Sequence, residues 1–308
     1  MKILERPLPY ILTLGFLFGS GIVITRFGIG QFDPLAFATL RMGLAALIHL
    51  AVYMLSPQRK FPTDRNFLMH AIIAGLIGTG LPTIALVIAL QYQSSGITSL
   101  LITLNAVITP LIAHFLLRGE RLTVIKILGA MIAFSGAAAL LIRGETGLGD
   151  FVHADWHGYA WTSLIVLGLS LGSIYSRRFL RTADSFDAAS IRMMISAVVF
   201  IPITWAVSGF DFSLVKPSGY LALLYTTILS TFFAFLLNFY IIKRFGAASV
   251  SQFSYVTPVV ATILGAVLLS EIITPVMLMG MVMIFSGLAL VTRQSNRPKS
   301  HPPSREAT

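Results

Sequence analysis

Ten stretches of about twenty apolar residues follow one another along this chain, with gaps too short to hold a second domain. They cover 8–25, 34–55, 67–90, 97–117, 124–142, 156–176, 185–207, 220–242, 249–269 and 276–292. A helix needs roughly 20 apolar residues to cross the ~30 Å hydrocarbon core of a bilayer. Each stretch is apolar on every face, as a helix in lipid or deep in a bundle must be. The gaps carry the helix breakers Asp33-Pro34, Ser56-Pro57, Lys216-Pro217 and Thr274-Pro275. The sequence predicts an all-α membrane protein with ten transmembrane helices. Composition agrees, because only 11% of the 308 residues are charged, against about 25% in soluble domains. The first span runs to Arg26 without a small-residue cleavage site, so it is expected to remain as a helix rather than leave as a signal peptide.

A net charge of +10 would suggest nucleic acid as a partner in a soluble chain. Here the placement of the charges points to the bilayer instead. With the N-terminus in the cytoplasm, 16 of the 22 Lys and Arg residues fall in inside segments. Only Arg26, Arg143 and Lys216 fall in outside loops, and Arg41, Lys126 and Arg192 lie within spans. That asymmetry predicts a multi-pass protein of the cell (inner) membrane with both termini cytoplasmic. Residues 293–308 are basic, Pro/Ser-rich and poor in apolar side chains, and read as a disordered cytoplasmic tail.

A shift of 151 residues superimposes one half of the chain on the other. It places Gly21 on Gly172, Arg26 on Arg177, Asp33 on Asp184 and Arg41-Met42 on Arg192-Met193. It also pairs Glu120 with Glu271, Thr123 with Thr274, Gly129 with Gly280, and Phe134-Ser135-Gly136 with Phe285-Ser286-Gly287. The expected units are 1–150 and 151–292, five spans each. An odd number of spans makes the second unit enter the membrane from the opposite side. The predicted architecture is therefore two inverted five-helix repeats, which transporters use to open a central site to each side in turn.

These residues resemble the EamA family of the drug/metabolite transporter superfamily. The likeness rests on Thr39-Leu40-Arg41 and Ser190-Ile191-Arg192, and on Gly-Glu-x-x-Thr or Ser-Glu-x-x-Thr followed by Gly and Phe-Ser-Gly, and it covers about residues 8–292. It implies a ten-helix bundle that exports or takes up amino acids, related metabolites or drugs. One departure is the spacing of the prolines: Pro110 lies ten residues before Glu120, but Pro258 lies thirteen before Glu271. The expected function is a secondary transporter working by alternating access, exporting amino acids or related small metabolites. Multidrug efflux or the flipping of a lipid-linked sugar is the alternative, and a membrane scaffold or intramembrane enzyme a remote third.

Chemistry for an enzyme is missing from the sequence. No carboxylate lies mid-span, no nucleophile–base set is apparent, and Gly75-x-x-Gly78-x-Gly80 sits inside an apolar helix rather than after a strand. No cofactor or metal is expected. With no Gly-x-x-x-x-Gly-Lys-Ser/Thr motif, energy would come from a proton or other ion gradient. Gly15/Gly19 and Gly168/Gly172 permit close helix packing, in a monomer or a weak homodimer.

The candidate substrate-binding residues are polar and aromatic groups near mid-span. They are Asn105 and Thr103 on the fourth span, Gln252, Ser254 and Tyr255 on the ninth, and Thr79 and Thr83 on the third. Trp161 and Tyr175 on the sixth and Asn238 and Tyr240 on the eighth complete the uncharged set. Asn105 and Tyr255 are expected to face a central cavity bounded by the first, third, fourth, sixth, eighth and ninth helices. Arg41, about 10 Å into its span at 1.5 Å per residue, either offers its guanidinium to an anionic or zwitterionic substrate or, like Arg192, snorkels toward the headgroups or bonds backbone carbonyls at symmetric positions between the repeats. Glu120 and Glu271 are expected to cap the fifth and tenth helices, with gating as the alternative.

Overall fold

The computed structural model describes residues 6–117, 122–149, 156–246, 249 and 252–295, so Glu120 and the tail beyond Ser295 lie outside it. Among the described residues the chain is helical, without strands. The helices are α1 (Leu8–Ile29), α2 (Pro34–Leu55), α3 (Arg65–Tyr92), α4 (Ser95–Leu116) and α5 (Val124–Arg143). The second set is α6 (Trp156–Phe179), α7 (Ser185–Val207), α8 (Pro217–Phe245), α9 (Phe253–Leu269) and α10 (Pro275–Ser295). Nine are long and apolar enough to cross a membrane, and α9 is a shorter apolar helix of 17 residues.

The helix starts explain part of the internal repeat. Asp33 and Asp184, 151 residues apart, cap α2 and α7: Asp33 accepts from Ala36 N at 3.0 Å and Asp184 from Phe186 N at 2.9 Å. Thr123 and Thr274 do the same for α5 and α10, through Lys126 N and Met277 N. Pro34, Pro217 and Pro275 occupy first helical positions, where a missing N–H costs nothing. Two ends differ from expectation. α1 carries on past Arg26 and through Gly28 to Ile29, and α10 runs to Ser295, making the start of the expected tail helical.

Packing is reciprocal between the halves. α2 lies on α7 and α5 on α10, while α1 packs on α9 as α6 does on α4, and α3 packs on α6 as α8 does on α1. The α5–α10 contact is glycine to backbone in both directions: Gly129 lies against Gly287 O and Gly136 against Gly280 O. Thr103 Oγ1 donates to Ser254 O at 3.5 Å, two positions that the 151-residue shift makes equivalent.

α3 and α8 each contain one π-helical turn, Leu76–Gly80 and Ile228–Phe233, again at matching places. The glycines of Gly75-x-x-Gly78-x-Gly80 belong to the first. An inserted residue of this kind breaks the regular hydrogen-bond ladder and leaves backbone groups and side chains turned inward. α4 is interrupted at Thr103-Leu104, where the chain makes short turns before resuming at Asn105.

Candidate functional site

The two intramembrane arginines meet these π turns across the bundle. Arg41 of α2 donates from Nε to Thr231 Oγ1 of the α8 turn at 2.8 Å, and from Nη1 to Thr25 Oγ1 of α1 at 3.1 Å. Arg192 of α7 donates from Nε to Thr79 Oγ1 of the α3 turn at 3.0 Å, and from Nη2 to Gly78 O at 2.9 Å. The backbone-carbonyl reading of the arginines thus holds for Arg192, while Arg41 reaches hydroxyls. Each guanidinium is half-buried, and among the described residues neither is paired with a carboxylate. An arginine held mid-helix in a membrane costs about 2.5–3.5 kcal/mol on insertion scales, so two at matched positions call for compensation.

Both arginines line one cavity of about 1100 Å³. Its walls come from α1, α2, α3, α4, α6, α7, α8 and α9, so α2 and α7 join the six helices expected from sequence. The lining reaches Leu117, Arg177, Leu180 and Arg181 at the face where α1 begins, and goes no deeper than Leu86, Ser99 and Ile22 on the way to the opposite face. Among the described residues the lining reaches one of the two faces and stops short of the other.

Of the candidate residues, Arg41, Thr79, Thr83, Thr103, Asn105, Asn238 and Ser254 line this cavity. Asn105 is held firmly at its start of the second segment of α4. Its Oδ1 accepts from Thr109 Oγ1 at 2.8 Å and from Ser170 Oγ at 2.9 Å, and among the described residues its amide nitrogen makes no hydrogen bond. Thr83 is spent locally, donating to Thr79 O at 2.7 Å.

Five candidates point elsewhere. Tyr255 leaves the cavity for α10, its ring 5.4 Å from Phe285 and its hydroxyl 3.4 Å from Thr292 Oγ1. A one-residue offset from the 151-residue shift is 100° around a helix, enough to turn a side chain away from its mate's direction. Trp161 packs on Ala85, Ala89 and Ile165 between α3 and α6. Tyr175 hydrogen-bonds His70 Nδ1 at 2.8 Å, Tyr240 pairs with Arg244 and Tyr10, and Gln252 is exposed before α9. The sequence reasoning left out Arg192, Ser173, Ser176, Ser230 and Thr231, all on the cavity wall. Arg192 was legible as the shifted mate of Arg41. The hydroxyls were not, because serine and threonine on an apolar helix commonly bond their own backbone.

About one turn beyond Ser99, past the far end of the cavity and outside its lining, lies an ion pair. Arg26 Nε lies 3.1 Å from Glu271 Oε1, with the Glu271 side chain 4% and that of Arg26 20% exposed. Arg26 also donates to the carbonyls of Leu90 and Gln93. Glu271 accepts from Ser95 N at 2.8 Å, Ser95 Oγ at 2.7 Å and Gly96 N at 3.4 Å. It therefore caps α4 and not α10, whose cap is Thr274. The left-handed turn at Ser270, φ 55°, sends Glu271 back over Gly265 and toward α4. α1, the ends of α3, α4 and the α9–α10 connection are tied together by this one carboxylate.

The sequence profile of the EamA-like transporter family matches residues 6–142 and again residues 156–293. The chain belongs to the EamA-like transporter family. It is a membrane transporter by that membership, and the profile falls once on each half. An uncharacterized transporter of Archaeoglobus fulgidus is 23% identical over 286 residues, 92% of this chain and 97% of its own length. The uncharacterized inner membrane transporter YedA of Escherichia coli is 26% identical over 92% of this chain and 89% of its own length. A solved crystal structure covering 93% of this chain and 98% of its own has a TM-score of 0.64 at 20% identity, a likeness of fold.

Proposed function

We propose that this protein is a secondary carrier that works by alternating access and exports small polar metabolites, amino acids and their relatives among them. The observation that carries the reading is the cavity of about 1100 Å³, open at one face and stopping short of the other, with the Arg26–Glu271 pair beyond its far end. Reciprocal packing of helices 151 residues apart supports inverted repeats as the rocking units. Family membership supports transport. With both termini cytoplasmic, the open face is the cytoplasmic one, and the cavity is poised to load substrate from inside. The absence of cysteine from the sequence makes orientation testable with single introduced thiols. A cysteine at Ser213 is expected to react with an impermeant reagent added outside intact cells, and one at Lys60 only after lysis; the reverse pattern inverts the topology.

Transport itself is tested by efflux from preloaded cells, with and without the protein, over a panel of amino acids, organic acids and dyes. Asn105→Ala is expected to reduce efflux about tenfold, the worth of one buried hydrogen bond of ~1.4 kcal/mol. Tyr255→Phe is expected to transport normally, since its hydroxyl makes only a long contact to Thr292 away from the cavity. Equal losses in both variants, scaling with lost folded protein, would mean that neither residue acts through the cavity.

A further inference from the structure

Among the described residues four charged side chains line the cavity, Arg41, Arg177, Arg181 and Arg192, and no carboxylate does. The described carboxylates that form ion pairs do so elsewhere: Glu271 with Arg26 beyond the far end, and Asp184 and Asp187 with Arg59 outside the cavity wall. We propose that the cargo is a small organic anion, a molecule of net negative charge bearing a carboxylate or phosphate group, for which Arg41 and Arg192 supply the counter-charge. The inference rests on the carrier reading and narrows its substrate class.

Geometry supports it at the level of single N–H groups. Arg41 spends Nε and one hydrogen of Nη1 on Thr231 and Thr25, and Arg192 spends Nε and one hydrogen of Nη2 on Thr79 and Gly78. Among the described residues each guanidinium keeps three N–H groups without a partner, shared between its two terminal nitrogens. Those terminal nitrogens form the end-on fork that takes two oxygens of a carboxylate or phosphate. The threonine contacts at Nε hold each fork in place before ligand arrives, which lowers the entropy lost on binding. The neutral wall adds donors: the Asn105 amide, Ser173, and the buried Ser176 hydroxyl, which has no partner among the described residues. Among the described lining residues, a zwitterion would bring its ammonium beside arginines with no carboxylate to receive it, and a cationic drug would meet only like charge.

The test uses the purified full-length protein in lipid nanodiscs, with thermal shift at fixed ionic strength and counterflow in proteoliposomes. The probes are succinate, L-malate, L-aspartate and glycerol 3-phosphate as anions, L-alanine as zwitterion and ethidium as cation. One or more anions is expected to raise the unfolding temperature and to exchange across the membrane, while alanine and ethidium do neither. Arg41→Gln and Arg192→Gln are each expected to weaken anion binding by about tenfold or more, with Arg41→Lys intermediate. Should the glutamine variants fail to fold, Ser173→Asp serves instead: it sets a carboxylate on the wall and is expected to abolish the anion response while the unliganded protein unfolds at the wild-type temperature. Preference for dicarboxylate or phosphate monoester assigns the headgroup, and either supports the proposal. Stabilisation by alanine or ethidium equal to that by any anion, or anion binding unchanged in every one of these variants that folds, overturns it. Counterflow of alanine without any anion response removes the anion and leaves the carrier standing; no exchange of any probe removes both.

Discussion

Replacing Glu271 with alanine is expected to be the most damaging single change beyond the far end of the cavity, costing about 3–5 kcal/mol. The substitution strips Arg26 of its counter-ion and takes away the acceptor for Ser95 N, Ser95 Oγ and Gly96 N. Removing one partner of a buried ion pair costs far more than a surface pair is worth, because the other charge stays desolvated. Arg26 would keep only the carbonyls of Leu90 and Gln93. In a chain of this size the loss corresponds to a fall of roughly 5–10 °C in apparent unfolding temperature. A double-mutant cycle with Arg26→Gln and Glu271→Gln measures the pair itself, and the double variant should be more stable than the sum of the single losses predicts. A fall below ~1 kcal/mol for Glu271→Ala would place the pair with ordinary exposed ones.

The second large effect is expected at the crossing of α5 and α10. A Cβ on Gly287 would lie 2.7 Å from Ala133 N, 2.8 Å from Ala133 Cβ and against Gly129 O. Two of these obstacles are backbone atoms and the third is a Cβ fixed to the backbone, so none can swing aside as a longer side chain does. Gly287→Val therefore has to push the two helices apart, at a cost of about 3 kcal/mol or more for an overpacked interior. Without a hydrophobic driving force between helices in lipid, close backbone approach is much of what holds such a pair together. The expected result is a sharp loss of monodisperse protein after extraction, with Gly43→Ala as the control, since the nearest atom to a Cβ there is Ile201 Cδ1 at 3.6 Å. Normal yield and stability for Gly287→Val would show that α5 and α10 are not tightly coupled.

Much of the fold was legible because a bilayer leaves the chain few choices. Backbone groups in hydrocarbon must bond within their own helix, so runs of about 20 apolar residues become helices wherever they occur. The breakers were equally direct: Asp33-Pro34 and Thr274-Pro275 stop one helix and cap the next by local chemistry that needs no tertiary partner. The family could be read from the same residues, since several of the matched positions are caps and packing glycines.

The wall of the cavity was only half legible. Asn105, Thr103, Ser254 and Arg41 were found because polar groups are rare in apolar spans and stand out. Tyr255 stood out in the same way and points to α10, because one position along a helix turns a side chain by 100° and sequence gives no absolute rotation. Glu271 shows the limit most clearly. Its position before Thr274 suggested a cap for the helix that follows, yet the left-handed turn at Ser270 aims it at a helix more than 170 residues away in sequence. The sequence alone determined which segments are helices, where they start and which family the chain belongs to, since those properties depend on local hydrogen bonding and on transfer from water to lipid. The tertiary structure decided which polar groups share a cavity, which face that cavity opens to, that α3 and α8 unwind into π turns against Arg192 and Arg41, and that Arg26 finds Glu271. Those depend on how the helices are rotated and packed, which short-range forces between distant parts of the chain settle.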